Sequence, residues 1–261
     1  MLINVSRVVV AVASAAVLVL TGGAATVVDS VAPADSGDSG AAAASAAASE
    51  PAKPAASANS AVGALFAGGK HFCTASVVHS PAGDLVLTAA HCLGAGTAGL
   101  TFEPGYHDGV APFGTWTVTA AAVPAGWAAS ADQDLDFAFL TVARPGTAAS
   151  LESLTGANQL GVSRGFTNAI TLTGYPDPAD APVVCENTTT RSDTYQQRVA
   201  CPGFPDGTSG APWVTGADPA TGLGTVVGVI GGYEAGGDTP DVSYSAYFDD
   251  DIQRLYDSVT S

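Results

Sequence analysis

Basic residues are scarce in this sequence. Eight Lys and Arg stand against 24 Asp and Glu, which gives a net charge of −16. Residues 61–261 keep this imbalance, with 6 basic and 20 acidic side chains. Because a surface of this charge repels phosphate backbones and anionic membranes, we expect no nucleic-acid partner and no stable membrane association of the mature protein. The acidity is otherwise explained by solubility.

Residues 1–60 lack Trp, Cys and His altogether. Arg7 is the only charge before an apolar run at 8–20, and small residues follow it up to Ala25. This layout predicts a signal peptide over 1–25 and therefore a secreted, extracellular protein. An uncleaved membrane anchor is the alternative, but Gly22 and Gly23 interrupt its apolar run. Residues 26–60 are mostly Ala, Ser, Pro, Gly and Asp, which predicts a disordered linker or pro-segment.

The part from residue 61 onward has few Lys, Glu or Leu, and is rich in Gly, Thr, Val and Pro. This composition favours strands and turns over helices. Short β-like runs separated by turn signals cover 62–66, 72–78, 85–90, 115–123, 137–142, 169–175, 197–201, 211–214, 224–233 and 243–248. Many short strands of this kind predict antiparallel barrels or sandwiches. One helix is expected, over 249–259, with Asp249 or Asp250 as its cap.

Three segments of this part carry residues that chemistry could use. His91 ends the apolar strand of LTAAHC, Asp136 begins the strand of DQDLDFAFL, and Ser209 lies in DGTSGAPWV. Taken singly, each has an ordinary structural explanation. His91 can be a histidine at a strand end, Asp136 an aspartate in a turn, and the segment around Ser209 a glycine-rich turn. Taken together, they offer a nucleophile, a base and a shielded carboxylate that can orient the base. Asp132 and Asp134 are the rivals of Asp136.

These motifs resemble those of the trypsin-like (chymotrypsin-fold) serine peptidases of the secreted bacterial type. TAAHC, DFAFL and GTSGAP all match, and they occur in the order His, Asp, Ser that this family uses. The resemblance implies that Ser209 is the nucleophile, His91 its general base and Asp136 the residue that orients His91. It also implies an oxyanion hole made by the backbone N–H groups of Gly207 and Ser209.

The resemblance further implies an all-β fold of two antiparallel six-stranded β-barrels with a C-terminal α-helix. The peptidase domain would span 61–261, with barrel one at about 61–145, barrel two at about 150–248 and the helix at 249–259. Substrate would bind between two walls. One wall contains Phe204 and Asp206, and the other is a strand containing Gly231, Gly232 and Tyr233 that pairs with the substrate backbone. Because these walls hold no buried acid, a neutral, mainly apolar substrate side chain is expected.

Four cysteines allow three disulfide connectivities. The resemblance implies the pairs Cys73–Cys92 and Cys185–Cys201. A competing interpretation uses His71, Cys73, His91 and Cys92 as a zinc site. Adjacent His91 and Cys92 are poorly spaced for a tetrahedral ion, and export favours disulfides, so no metal and no cofactor is expected.

A second serine carries a peptidase-like motif, Ser39 in GDSG at 37–40. It lies in the expected linker, where no histidine is available, and we interpret it as a solvated linker residue. The leading prediction is therefore a secreted serine endopeptidase that acts on polypeptides as a monomer. The alternatives are a non-catalytic binding protein on a peptidase scaffold and an esterase that uses the same machinery.

Overall fold

The computed structural model describes residues 53–54, 59–177 and 179–261. The expected signal peptide, most of the expected linker and Ser39 lie outside the described residues. None of the helices in the described part is long and apolar enough to cross a membrane.

The first half of the described chain forms a closed antiparallel β-barrel. Its strands hydrogen-bond in the order β2-β3-β4-β7-β6-β5. They are β2 (Val62–Ala67), β3 (Lys70–Val77), β4 (Leu85–Thr88), β5 (Thr101–Pro104), β6 (Trp116–Ala122) and β7 (Ala138–Ala143). Leu65, Phe102 and Leu140 are fully buried within one apolar cluster that fills the barrel. The apolar residues of these strands thus share one core inside the barrel.

The second half contains the remaining strands, which hydrogen-bond as a six-stranded and a three-stranded sheet. The orders are β1-β10-β9-β13-β14-β8 and β11-β12-β15. The strands are β1 (Lys53–Pro54), β8 (Gln159–Leu160), β9 (Ala169–Gly174), β10 (Val183–Thr188), β11 (Thr190–Arg191), β12 (Gln196–Ala200), β13 (Pro212–Thr215), β14 (Thr225–Val229) and β15 (Val242–Ala246). Buried residues from both sheets, including Leu172, Val199 and Trp213, share one core.

The C-terminal helix, α3 (Asp250–Thr260), confirms the predicted helix within one residue at each end. The Asp249 side chain caps it by accepting a hydrogen bond from the backbone N–H of Asp251 at 2.8 Å. Ile252 is fully buried, and it packs in a cluster that also holds Phe137 of the first half and Val229 of the second. The helix therefore covers apolar residues from both halves of the domain.

Several elements differ from the sequence prediction. Two short helices, α1 (Ala125–Ser130) and α2 (Leu151–Thr155), were not expected. The pair β8–β14 is parallel, whereas antiparallel pairing was predicted throughout. Within the expected linker, β1 pairs with β10. Asn59, also in the expected linker, contacts the second half, because its side chain donates to the carbonyl of Gly222 at 2.7 Å.

Candidate active site

His91 lies in a 3₁₀ turn that directly follows β4. The turn spans Ala90–Leu93, and Ala89 before it is still extended. A disulfide between Cys73 of β3 and Cys92 fastens this turn to the neighbouring strand. The His91 side chain is 23% exposed, so one edge of the ring can meet a substrate while the other faces the protein.

Asp136 is completely buried and accepts three hydrogen bonds. The His91 backbone N–H donates to Oδ1 at 2.9 Å, and His91 Nδ1 lies 2.7 Å from Oδ2. The third donor is the backbone N–H of Gly232, 2.8 Å from Oδ2. A buried carboxylate requires such partners, because burial without them is costly. The set fixes the His91 ring with Nδ1 toward the carboxylate and Nε2 away from it.

The two rival aspartates face elsewhere. Asp132 caps a 3₁₀ turn over Gln133–Leu135 by accepting from the backbone N–H of Asp134 at 3.1 Å. Asp134 accepts a hydrogen bond from the Gln196 side chain at 2.7 Å. Of these three aspartates, only Asp136 contacts His91.

The loop that contains Ser209 holds its peptide groups in one arrangement. The backbone N–H of Asp177 donates to the carbonyl of Asp206 at 2.7 Å, and that of Ala211 donates to the carbonyl of Thr208 at 2.9 Å. Each hydrogen bond fixes the carbonyl of one peptide group. Because the C=O and N–H of a trans peptide group point in opposite directions, the N–H of the same group points away from the bonded side. The two N–H groups concerned belong to Gly207 and Ser209.

The N–H groups of Gly207 and Ser209 form no hydrogen bond to any described residue, whereas their neighbours do. Thr208 N–H donates to Pro205 and Gly210 N–H donates to Ile230. Two adjacent free donors of this kind can bind one negatively charged oxygen. Gly207 has φ +93°, and a Cβ there would lie 2.4 Å from the Asp177 nitrogen, so only glycine fits.

Ser209 lies beside the histidine turn. Its carbonyl accepts a hydrogen bond from the Thr74 N–H at 2.8 Å and lies 3.8 Å from the Cys92 sulfur. Within the described residues, Ser209 Oγ and His91 Nε2 are not hydrogen-bonded to each other. Such bonds are often long in ligand-free enzymes and shorten when substrate binds.

Some of the residues expected to line the substrate pocket are buried, and others are exposed to solvent. Phe204 is 5% exposed, whereas Asp206 lies at the surface and Tyr233 is 45% exposed. Gly231 and Gly232 are buried. The expected strand through Tyr233 is wrong in its extent, because β14 ends at Val229 and a 3₁₀ turn covers Tyr233–Gly236.

The backbone N–H groups of residues 231–233 all donate hydrogen bonds within the protein. Gly231 N–H donates to the carbonyl of Tyr244 at 3.0 Å, and Tyr233 N–H donates to Gln196 Oε1 at 3.2 Å. Gly232 N–H donates to Asp136, as described above. A substrate backbone at this wall therefore meets no free N–H donor from these three residues.

His71 is a half-buried histidine close to this site that sequence reasoning assigned only to the zinc alternative. Its ring lies edge-on to Tyr175, with centroids 6.1 Å apart, and its buried Nε2 has no hydrogen-bond partner of good geometry among the described residues. Burial lowers its pKa below the ordinary value, while the nearby carbonyls of Gly207 and Tyr175 act more weakly in the opposite direction.

The zinc alternative is not supported by the sulfur chemistry. Cys73, His91 and Cys92 do bring potential ligand atoms together. However, the two sulfurs are joined in a disulfide, so neither is a thiolate, and His91 Nδ1 faces Asp136. The second disulfide joins Cys185 to Cys201, and both pairs are those that the resemblance implies.

Known structures with this fold include bacterial proteases. Protease Anisep from Arthrobacter nicotinovorans is 26% identical, with a TM-score of 0.66, over 78% of this chain and 98% of its own. The thermostable serine protease AL20 from an extremophilic microorganism is 25% identical, with a TM-score of 0.67, over 77% and 97%. Human heparin binding protein shares the fold at 15% identity and a TM-score of 0.58, over 75% and 90%. No curated protein matches the chain significantly in sequence.

The sequence model of the trypsin-like peptidase domain matches residues 73–229, a range that includes His91, Asp136 and Ser209. This range is more than half of the chain. Together with the chymotrypsin fold and the bacterial serine protease neighbours, the match shows that the chain belongs to the trypsin-like peptidase family.

Proposed function

We propose that the protein is a secreted serine endopeptidase with His91, Asp136 and Ser209 as its catalytic triad. The observation that carries the proposal is the His91–Asp136 pair, with Nδ1 and Oδ2 2.7 Å apart, beside a serine loop with two free N–H groups. The histidine–aspartate pair can act as a base, the serine as a nucleophile and the free N–H groups as an oxyanion hole. No other group of described residues combines these three features.

In the proposed mechanism, Ser209 Oγ attacks the carbonyl carbon of a peptide bond while His91 Nε2 takes the serine proton. Asp136 accepts the hydrogen bond from Nδ1–H and stabilises the imidazolium. The carbonyl oxygen becomes an oxyanion, which the N–H groups of Gly207 and Ser209 stabilise. Collapse of this intermediate breaks the C–N bond, and His91 gives its proton to the leaving amine.

The acyl-enzyme that remains is an ester of Ser209. Water attacks its carbonyl carbon while His91 takes a proton from the water, and the second tetrahedral intermediate forms in the same hole. Its collapse returns the proton to Ser209 Oγ and releases the carboxylate product.

Substrate would bind beside Ser209, between Phe204 and Asp206 on one side and Gly231–Tyr233 on the other. The buried ring of Phe204 and the two glycines favour a neutral side chain. Asp206 is at the rim, as its exposure supports. Because the N–H groups of Gly231, Gly232 and Tyr233 are bonded internally and the Gly232 carbonyl accepts from Ala235, we propose that substrate pairs there through the carbonyl oxygen of Gly231.

Secretion is proposed from the sequence of residues 1–25, and the two disulfides are compatible with an oxidising compartment. The remaining segment up to residue 60 would be a linker or pro-segment that precedes the peptidase domain, 61–261.

The test combines an organophosphonate probe with a peptide-library digest by the wild-type protein and Ser209→Ala. We expect stoichiometric labelling of Ser209 and internal cleavage of peptides by the wild type, and neither by the variant. A protein that binds peptides without labelling would be a non-catalytic member, an alternative consistent with the missing Ser209–His91 hydrogen bond. Cleavage of ester substrates without any peptide cleavage would identify an esterase instead.

A further inference from the structure

Thr74 is a fully buried residue of the first barrel that contacts the serine loop of the second half. Its backbone N–H donates to the carbonyl of Ser209 at 2.8 Å. Its hydroxyl donates to the carbonyl of Gly207 at 3.0 Å and accepts from the N–H of Tyr175 at 2.9 Å. Both roles of the hydroxyl, as donor and as acceptor, are therefore in use.

The two carbonyls that Thr74 holds belong to the same residues whose N–H groups are free. Gly207 and Ser209 are each fixed on their carbonyl side by Thr74, and the preceding peptides are fixed by Asp177 and Ala211. With the peptides on both sides held, neither residue can rotate its N–H out of the site without breaking a hydrogen bond.

The loop also lies directly against Thr74. A Cβ added at Gly210 would come within 2.3 Å of the Thr74 carbonyl and 2.2 Å of Thr88 Oγ1. The Thr88 hydroxyl in turn donates to the Thr74 carbonyl at 2.8 Å, and Thr88 is the last residue of β4, just before the His91 turn. A change in how Thr74 holds the loop is therefore transmitted to Ser209 and Gly207 with little room for relaxation.

We propose that Thr74 is a positioning residue whose hydroxyl, by holding the Gly207 carbonyl, sets the direction of the Gly207 N–H group. The inference rests on the proposed function, because that group matters only if an oxyanion forms. Thr74 touches neither substrate nor the reacting atoms and acts through the carbonyl of Gly207. Removing its hydroxyl takes one hydrogen bond from the Gly207 carbonyl and leaves the Tyr175 N–H without its acceptor.

The experiment compares Thr74→Val with Thr74→Ser and with Ser76→Ala. Valine keeps the shape and removes the hydroxyl, whereas serine keeps the hydroxyl and removes the methyl group. Ser76 is the matched control, because it lies on the same strand, is also fully buried and has a hydroxyl that forms no hydrogen bond within the part of the chain that the structure describes. Rates are divided by the concentration of folded, active enzyme, which is determined by titration with an organophosphonate.

We expect Thr74→Val to lower kcat at least about tenfold with KM nearly unchanged, since complete loss of one oxyanion donor costs roughly 10²–10³ in kcat. The inhibition constant of a peptide aldehyde, which forms a tetrahedral adduct with the serine, should rise by the same factor. Thr74→Ser and Ser76→Ala should both stay within about twofold of the wild type.

A Thr74→Val enzyme that melts at lower temperature but keeps the wild-type kcat and aldehyde affinity per folded molecule would overturn the proposal, because Thr74 would then be only structural. If Thr74→Val does not accumulate as folded protein, Thr74→Ala is measured in the same way and must meet the same expectations. Wild-type protein that neither hydrolyses peptides nor labels with the phosphonate would instead refute the proposed function.

Discussion

The imidazole Nδ1 of His91 lies 2.7 Å from Oδ2 of Asp136, and the backbone N–H of His91 is bonded to the other oxygen of the same carboxylate. One side chain thus fixes both the ring and the main chain of the histidine. The N–H of Gly232 reaches Oδ2 as well, at 2.8 Å, so the second half of the domain also contributes to the carboxylate's position.

This relationship predicts the effect of Asp136→Asn. An amide can donate to Nδ1 instead of accepting from it, which would leave the proton on Nε2 and prevent that nitrogen from acting as a base. We expect a loss of about 10⁴-fold in kcat at neutral pH, as found for the equivalent change in another peptidase of this fold, measured on a chromogenic peptide. Asp134→Asn is the control, since Asp134 contacts Gln196 rather than His91. A severe loss in Asp134→Asn with a mild one in Asp136→Asn would refute the assignment.

The nucleophile assignment is tested by two serine variants. Ser209→Ala should lower kcat by about 10⁶-fold, the order found when the nucleophile of another serine peptidase is removed. Ser39→Ala should leave kcat unchanged, because its segment lacks a histidine. Both are measured on purified secreted protein with the same peptide substrate. Loss of activity in Ser39→Ala alone would reverse the assignment.

Much of the fold was predictable, because most strands consist of β-branched and aromatic residues between clear turns. Sequence analysis missed β5 and β10 as well as the two-residue strands β1, β8 and β11. β5 contains Glu103 and Pro104, and it exists because Phe102 pairs opposite Leu65 of β2. The predicted strand through Tyr233 was too long because Gly232, at φ +80°, turns the chain away. Long-range pairing thus decides β5, and local propensity carries no information about such pairing.

The site shows the same limit. Sequence motifs indicated His91, Asp136 and Ser209, since each lies in a recognisable local pattern. The hydrogen bond from Gly232 to Asp136 spans 96 residues, and the one from Thr74 to Gly207 spans 133. Neither residue type nor spacing reveals such contacts, because they arise only when the two halves of the domain come together.

His71 predicts a dependence of stability on pH. Burial lowers its pKa from 6.5 in the folded state, so the unfolded chain binds a proton more readily. Its contribution to stability is therefore complete above about pH 6.5 and declines as the pH falls from there toward the folded pKa. We expect His71→Phe, whose ring suits the neighbouring aromatic cluster, to lose less stability than the wild type between pH 7 and pH 5.

The measurement is urea unfolding of both proteins across this range, with Ser209→Ala as a common background to prevent self-digestion. The same decline in both proteins would mean that His71 does not cause it. A steeper decline in His71→Phe would show that His71 gains a favourable contact when protonated.

The two disulfides should differ in what their removal changes. The Cys185–Cys201 bridge joins two residues that are 16 positions apart in the second half, away from His91. The double variant Cys185→Ala/Cys201→Ala should lose about 3 kcal/mol of unfolding free energy while the folded fraction keeps its kcat. Cys73→Ala/Cys92→Ala should lower kcat as well, because that bridge holds the His91 turn. Equal kcat losses in both variants would contradict this division.

Specificity is the last prediction. Phe204 is buried and Gly231 and Gly232 have no side chains, so these residues place no charge in the walls beside Ser209. Asp206 lies exposed at the rim, where water screens its charge. A Lys or Arg side chain would lose hydration without a buried acid in these walls to replace it, and the acidic surface slows the approach of anionic substrates. We therefore expect Ala, Leu or Phe before the cleaved bond to be preferred over Lys, Arg and Glu.

The measurement is kcat/KM for a matched series of tripeptide amides that differ only in the residue before the cleaved bond. A preference for Arg or Lys of more than about tenfold over Ala, Leu and Phe would refute the prediction, since a difference of that size requires a specific polar contact. Asp206→Asn and Asp238→Asn would then locate it. Both aspartates are exposed, so neither substitution disturbs the core. The variant that loses the preference while keeping its activity on Leu substrates identifies the residue that binds the cation.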